Sequence, residues 1–129
     1  MAKSKKLPRK LTLDDCEITL RIEPEDLEVR GNAMATDEPE ADRKAEDEII
    51  ERLDGGDLWA WCHVVVRVTP KELVANPGTL GDLYGEDGLG ACSYRDEAEF
   101  RQPSGYFDDM CSNALAALQT KVDAYRKYL

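Results

Sequence analysis

Asp54-Gly-Gly-Asp-Leu-Trp-Ala-Trp-Cys-His-Val-Val-Val-Arg-Val68 is the stretch whose reading decides the fold. It closes a charged helical segment and opens the most apolar, most β-prone run of the chain. From Leu58 the even positions are Leu58, Ala60, Cys62, Val64, Val66 and Val68, so one face is wholly apolar. The odd positions are Trp59, Trp61, His63, Val65 and Arg67, so the other face is large and mixed. A period of two with β-branched and aromatic enrichment predicts a central strand covered at least partly on both faces.

Upstream of it, Thr36-Asp-Glu-Pro-Glu has the marks of a helix start, with cap-competent oxygens, early acids and a first-turn proline. Ala41, Ala45, Ile49, Ile50 and Leu53 then make a narrow apolar stripe. Asp42, Glu46, Asp47, Glu48 and Glu51 are assigned to the solvent face, relieved by Arg43, Lys44 and Arg52. Gly55-Gly56 stops the helix, with one glycine in the left-handed cap conformation. Further back, Glu17–Ile22 alternates with Ile18, Leu20 and Ile22 on one face and predicts a first strand. A turn at Pro24 and a second strand over Leu27–Ala35 complete a hairpin, disturbed at Gly31-Asn32 by a bulge or bend.

Downstream, residues 70–87 read as a long irregular loop, with a short helical turn near Lys71–Val74. Gly88–Tyr94 is a short strand expected to pair with the central one and to bring Cys92 near Cys62. Ser93 and Asp96 begin a short helix through Phe100. The last helix starts near Ser104 or Gly105 and runs to the end. Its apolar stripe includes Met110, Cys111, Ala114, Leu118 and Val122, with Asp108 and Asp109 in its first turn. The predicted architecture is a two-layer α+β domain over residues 11–129. It has about four mostly antiparallel strands in the order β-β-α-β-β-α-α, with two amphipathic helices on one sheet face. With the helices on the other face, Trp59 and Trp61 form an exposed aromatic patch.

At 129 residues the chain can bury a real core without staples. Residues 1–10 hold five basic residues and no acid, and read as a flexible basic arm. The other 119 hold 27 acids against 12 bases. A body this acidic repels nucleic-acid phosphates, so direct nucleic-acid binding by it is not expected; basic protein surfaces suit it. No apolar run is long enough for a membrane span, and no signal-peptide core follows the basic start.

Cys16, Cys62, Cys92 and Cys111 form no C-x-x-C pair and His63 is the single histidine, so no metal site is expected. The cysteines read as buried free thiols of a reducing cytosol. Cys62 and His63 are strand neighbours pointing to opposite faces and cannot pair directly. No nucleophile elbow, Walker A, dinucleotide or HExxH pattern is present, so neither catalysis nor a cofactor is expected. The glycine-rich runs at 78–90 carry Asp82, Glu86 and Asp87, which oppose phosphate. The most distinctive chemistry is the helix Asp37–Glu51, whose carboxylates repeat every ~5–6 Å and resemble the charge spacing of a nucleic-acid backbone.

Four segments carry a resemblance: Arg30–Ala35, Ala45–Trp61, Leu89–Tyr94 and Tyr106–Met110. Together they look like a family of small uncharacterised proteins of phages, plasmids and integrated elements. The resemblance implies a bacterial cytosol and a mobile-element setting, in which small acidic proteins often counter restriction or CRISPR systems. The expected function is therefore a non-enzymatic protein-binding domain that blocks the basic site of a host protein. Asp42, Glu46, Asp47, Glu48, Glu51, Trp59 and Trp61 are its expected contact residues. The alternative is a self-associating structural or accessory phage protein with Trp59 or Trp61 at a homomeric interface; a homodimer is compatible with either.

Overall fold

The structure, a computed structural model, describes residues 9–34, 36–72, 83–103 and 105–126. It is α+β. The elements are β1 (Cys16–Pro24), α1 (Pro39–Asp54), β2 (Cys62–Pro70), β3 (Gly85–Cys92), α2 (Glu97–Phe100) and α3 (Phe107–Arg126), with short 3-10 turns at Leu13–Asp15 and Leu58–Ala60. The sheet is antiparallel, in the order β1-β2-β3. The predicted pairing of the 88–94 strand with the central one is therefore observed.

The expectation of four strands is corrected to three among the described residues. Residues 27–33 form turns instead of a second strand. Val29 accepts backbone bonds from both Asn32 and Ala33, closing the chain on itself. Gly31 takes φ +78°, a left-handed conformation that ends any strand here. The alternation of Leu27 and Val29 covers too few residues to outweigh that glycine. The predicted loop at 70–87 falls largely on residues 73–82, outside the described residues, as does most of the helical turn near Lys71–Val74. Its last residues, from Gly85, already belong to β3.

The chain divides into two compact units. Unit 1 comprises residues 1–20, 66–87 and 107–129. Its core joins Leu11, Cys16, Val68 and Leu83 to Ala114, Leu118 and Val122 of α3. These helix positions repeat at 4 and 4, the stripe expected for one buried face. β3 enters under α3 at Gly85. A Cβ there would lie 2.6 Å from the Leu118 nitrogen and closer still to the Ala114 carbonyl, so only glycine allows the approach. Gln119 grips the chain entering this unit: its amide accepts from Leu11 N at 2.7 Å and donates to Arg9 O at 3.0 Å.

Unit 2 comprises residues 21–65 and 88–106. Its buried apolar groups include Val29, Ala60, Trp61, Cys62, Val64 and Phe100. α1 begins at Pro39, whose missing N–H costs nothing in the first turn. It ends at Gly55 and Gly56, the latter at φ +90°, as expected for the glycine stop. Arg52, in its last turn, binds Asp57 and donates to the carbonyls of Tyr94 and Arg95, tying α1 to the segment before α2. No helix among the described residues is long and apolar enough to cross a membrane.

Candidate protein-binding surface

All seven expected contact residues lie in unit 2, and so does most of the charge. Unit 2 contains 17 acidic and 7 basic residues, a net of −10, while unit 1 contains ten of each. Five of the ten bases of unit 1 lie in residues 1–10, so without them that unit stands at −5.

The carboxylates of α1 divide into two groups. Asp42 faces back along the chain, accepting from Thr36 N at 2.9 Å and from Thr36 Oγ1 at 2.5 Å. Glu46 is buried, with 6% of its surface exposed. One oxygen accepts from Gly31 N at 2.9 Å and the other lies 3.5 Å from Arg30 Nη1. Asp47 pairs with the other arm of the Arg30 guanidinium, which also donates to the Arg43 carbonyl. These two carboxylates raise the Arg30 pKa further, the Asp47 hydrogen bond being the main cause. Asp42, Glu46 and Asp47 therefore hold Arg30, Gly31 and Thr36 against α1. Glu48 and Glu51 are exposed and face outward with Glu40.

Assignment of Glu46 to the solvent face is corrected. Glu46, Ile49, Ile50 and Leu53 fall at offsets 0, 3, 4 and 7, which places Glu46 inside the apolar stripe. That spacing was the available signal. The partners that make burial tolerable, Arg30 and Gly31, lie 16 and 15 residues upstream and carry no periodic trace.

The tryptophans do not form an exposed patch. The 3-10 turn at Leu58–Ala60 interrupts the alternation before β2 begins, so Trp59 and Trp61 do not share a strand face. Trp61 is 4% exposed and its indole N–H donates to the Leu27 carbonyl at 2.6 Å. Trp59, half-buried, packs on Tyr94 and Phe100 with ring centroids 6.4 and 5.8 Å away, and Tyr94 meets Phe100 edge-on at 5.0 Å. Burial in this cluster raises the Tyr94 pKa. Neither indole offers the self-associating alternative the wide free face it expected. Among the described residues of unit 2, the exposed large aromatic residue is Tyr106, which opens the Tyr106–Met110 segment of the resemblance.

His63 behaves as a strand histidine fitted to its neighbours. Its ring occupies the room left by two glycines of β3: a Cβ at Gly88 would lie 2.8 Å from Nε2, and one at Gly90 3.3 Å from Nδ1. Glu25 reaches the same spot and accepts from the N–H of Ala91, a residue in the left-handed region at φ 54°, and from Leu27 N at 3.2 Å. The Ala91 bond is the main cause of the lowered Glu25 pKa; His63 adds a small attraction.

Cys16, Cys62, Cys92 and Cys111 are all buried free thiols. Desolvation pushes Cys62 up to about 12 and Cys16 and Cys92 up to about 11, with Cys92 also acting on Cys62. Such thiols are poor nucleophiles and poor metal ligands near neutral pH. Among the described residues, no group of three or more His, Cys, Asp or Glu is placed to hold a metal ion.

What this surface offers is a rigid helix with exposed carboxylates in a strongly negative unit. Comparison of the chain with protein families, with curated proteins and with solved structures returned no match.

Proposed function

We propose that the protein is a non-enzymatic binding domain that presents unit 2 to a basic surface of another protein. The observation that carries this reading is the uneven charge of residues 11–129: of their net −15, unit 2 holds −10 and unit 1 holds −5. Acidity needed only for solubility has no reason to gather in one half of a small domain. A concentrated negative field attracts a basic partner from a distance and sets its orientation. Glu48 and Glu51 are the contact carboxylates, with Asp47 shared with Arg30. Asp42, Glu46 and Trp61 act from inside by holding the surface in shape.

The basic sites of host nucleic-acid-binding proteins, including those of restriction and CRISPR systems, suit such a surface. The resemblance to mobile-element proteins supports that partner class and a bacterial cytoplasm as the place of action. Immobilised full-length protein, exposed to bacterial lysate and eluted with a salt gradient, should retain a basic nucleic-acid-binding protein that leaves at high salt. Joint reversal, E48K with E51K, should abolish retention. Capture that survives the reversal, or elution indifferent to salt, would sink the proposal.

A further inference from the structure

The sheet order leaves β1 at an edge, and among the described residues no other strand pairs with its outer side. β1 is nine residues long, and Pro24 stands only at its end. Long regular edges of this kind are templates for another strand. Its polar side chains Glu17, Thr19, Arg21 and Glu23 are exposed, and its apolar Ile18, Leu20 and Ile22 are only half-buried. Each apolar residue thus has surface left to cover.

We propose that β1 pairs antiparallel with β1 of a second copy, centred on Thr19. A symmetric pair keeps the apolar face continuous only when residues of the same parity stand opposite each other. That leaves few centres. Centring on Leu20 sets Glu17 against Glu23 of the second copy, twice. Centring on Arg21 sets that guanidinium against its own copy. Centring on Ile18 pairs no charges, and centring on Ile22 sets Arg21 against Glu23, but each shortens the ladder to five residues. Centring on Thr19 adds, twice by symmetry, Glu17 of the second copy across from Arg21, which already lies 3.4 Å from Glu23 of its own strand, with Ile18 opposite Leu20 and Cys16 opposite Ile22. Opposite charges directly across a ladder stabilise it and like charges destabilise it, so charge pattern and ladder length together select this register. The occupant is a second copy because the strand is complementary to itself.

This inference is independent of the acidic surface of unit 2 and stands or falls separately. Sedimentation equilibrium of the full chain over a wide concentration range should show a monomer–dimer equilibrium. E17R and R21E each turn the two opposite-charge contacts into two repulsions and should weaken dimerisation about tenfold. The swapped variant, E17R with R21E, restores opposite charges and should dimerise within about threefold of the wild type. All the changed side chains are exposed, so the variants retain the fold. A protein that stays monomeric throughout overturns the proposal. So does a dimer that the single changes leave intact, or one that the swap fails to restore.

Discussion

Unit 1 and unit 2 are nearly opposite in how they are held. Unit 1 rests on one apolar cluster, with α3 pressed onto Val68, Leu83 and Cys16. Unit 2 carries most of the negative charge and depends heavily on directional polar ties: Arg30 to Glu46 and Asp47, Arg52 to Asp57 and two carbonyls, Thr36 to Asp42, Trp61 to the Leu27 carbonyl. The difference teaches how a strongly acidic body folds. Several carboxylates are used as acceptors inside the unit, which offsets part of the repulsion among the rest. The remainder face outward.

The comparison breaks first, if it breaks, at the apolar core. G85A should be the most damaging change, because a Cβ there meets backbone atoms of α3 that cannot move aside. A loss of about 3 kcal/mol or more, measured by chemical denaturation, is expected. L118A, at a fully buried site, should cost about 3 kcal/mol and serves as the yardstick. Wild-type stability in G85A would disprove the close approach of β3 to α3.

A smaller effect separates the two kinds of carboxylate on α1. E46A leaves the Gly31 N–H without its acceptor and removes one of the two carboxylates on Arg30, and should cost about 2 kcal/mol. E48A, at an exposed site, should stay within about 0.5 kcal/mol of wild type. Equal losses would erase the distinction between holding and presenting residues.

The thiols give a pH test. Cys62, near 12, and Cys16 and Cys92, near 11, are all raised by burial from a value of 9.0. In the unfolded chain they ionise first as pH rises. The thiols' contribution should be constant below about pH 9 and fall from there toward pH 11–12. Thiol labelling at pH 8 should be slow and should follow unfolding. Rapid labelling of the native protein would contradict the burial.

The smallest effect belongs to Glu25, whose pKa is lowered chiefly by the Ala91 N–H and then by the Leu27 N–H. Its contribution is present above the ordinary carboxylate range and is lost as pH falls through its lowered value. E25Q should therefore flatten the acid limb of the stability curve slightly. An acid limb identical to that of the wild type would show that the Ala91 contact is not made.

Much of the framework was legible because it is periodic. Ile18, Leu20 and Ile22 announce β1; Val64, Val66 and Val68 announce β2; Ala114, Leu118 and Val122 announce the buried face of α3. Gly55 and Gly56 announce the end of α1. The misreadings share one cause: an interaction distant along the chain, or a local turn, overrode the period. Leu27 and Val29 alternate like a strand, yet Gly31 and its bond to Glu46 impose a turn. Trp59 and Trp61 extend the β2 alternation on paper, yet a 3-10 turn rotates one against the other. The acids of α1 were recognisable as the chemical signature of the chain. Their division into internal and external ones depends on Arg30 and Thr36, which only folding brings to them.

One side chain holds the backbone just before β1. Gln119 accepts from Leu11 N and donates to Arg9 O, reading the backbone as a neighbouring strand would. A protease must itself bind its substrate as an added strand, with the same backbone groups free. The bonds after Arg9 and Lys10 carry the residues trypsin prefers, yet Gln119 already occupies the place the enzyme needs. Limited proteolysis should therefore spare these two bonds in the native protein and cut them readily in Q119A. A single amide thus decides whether the peptide bonds after Arg9 and Lys10 are open to attack.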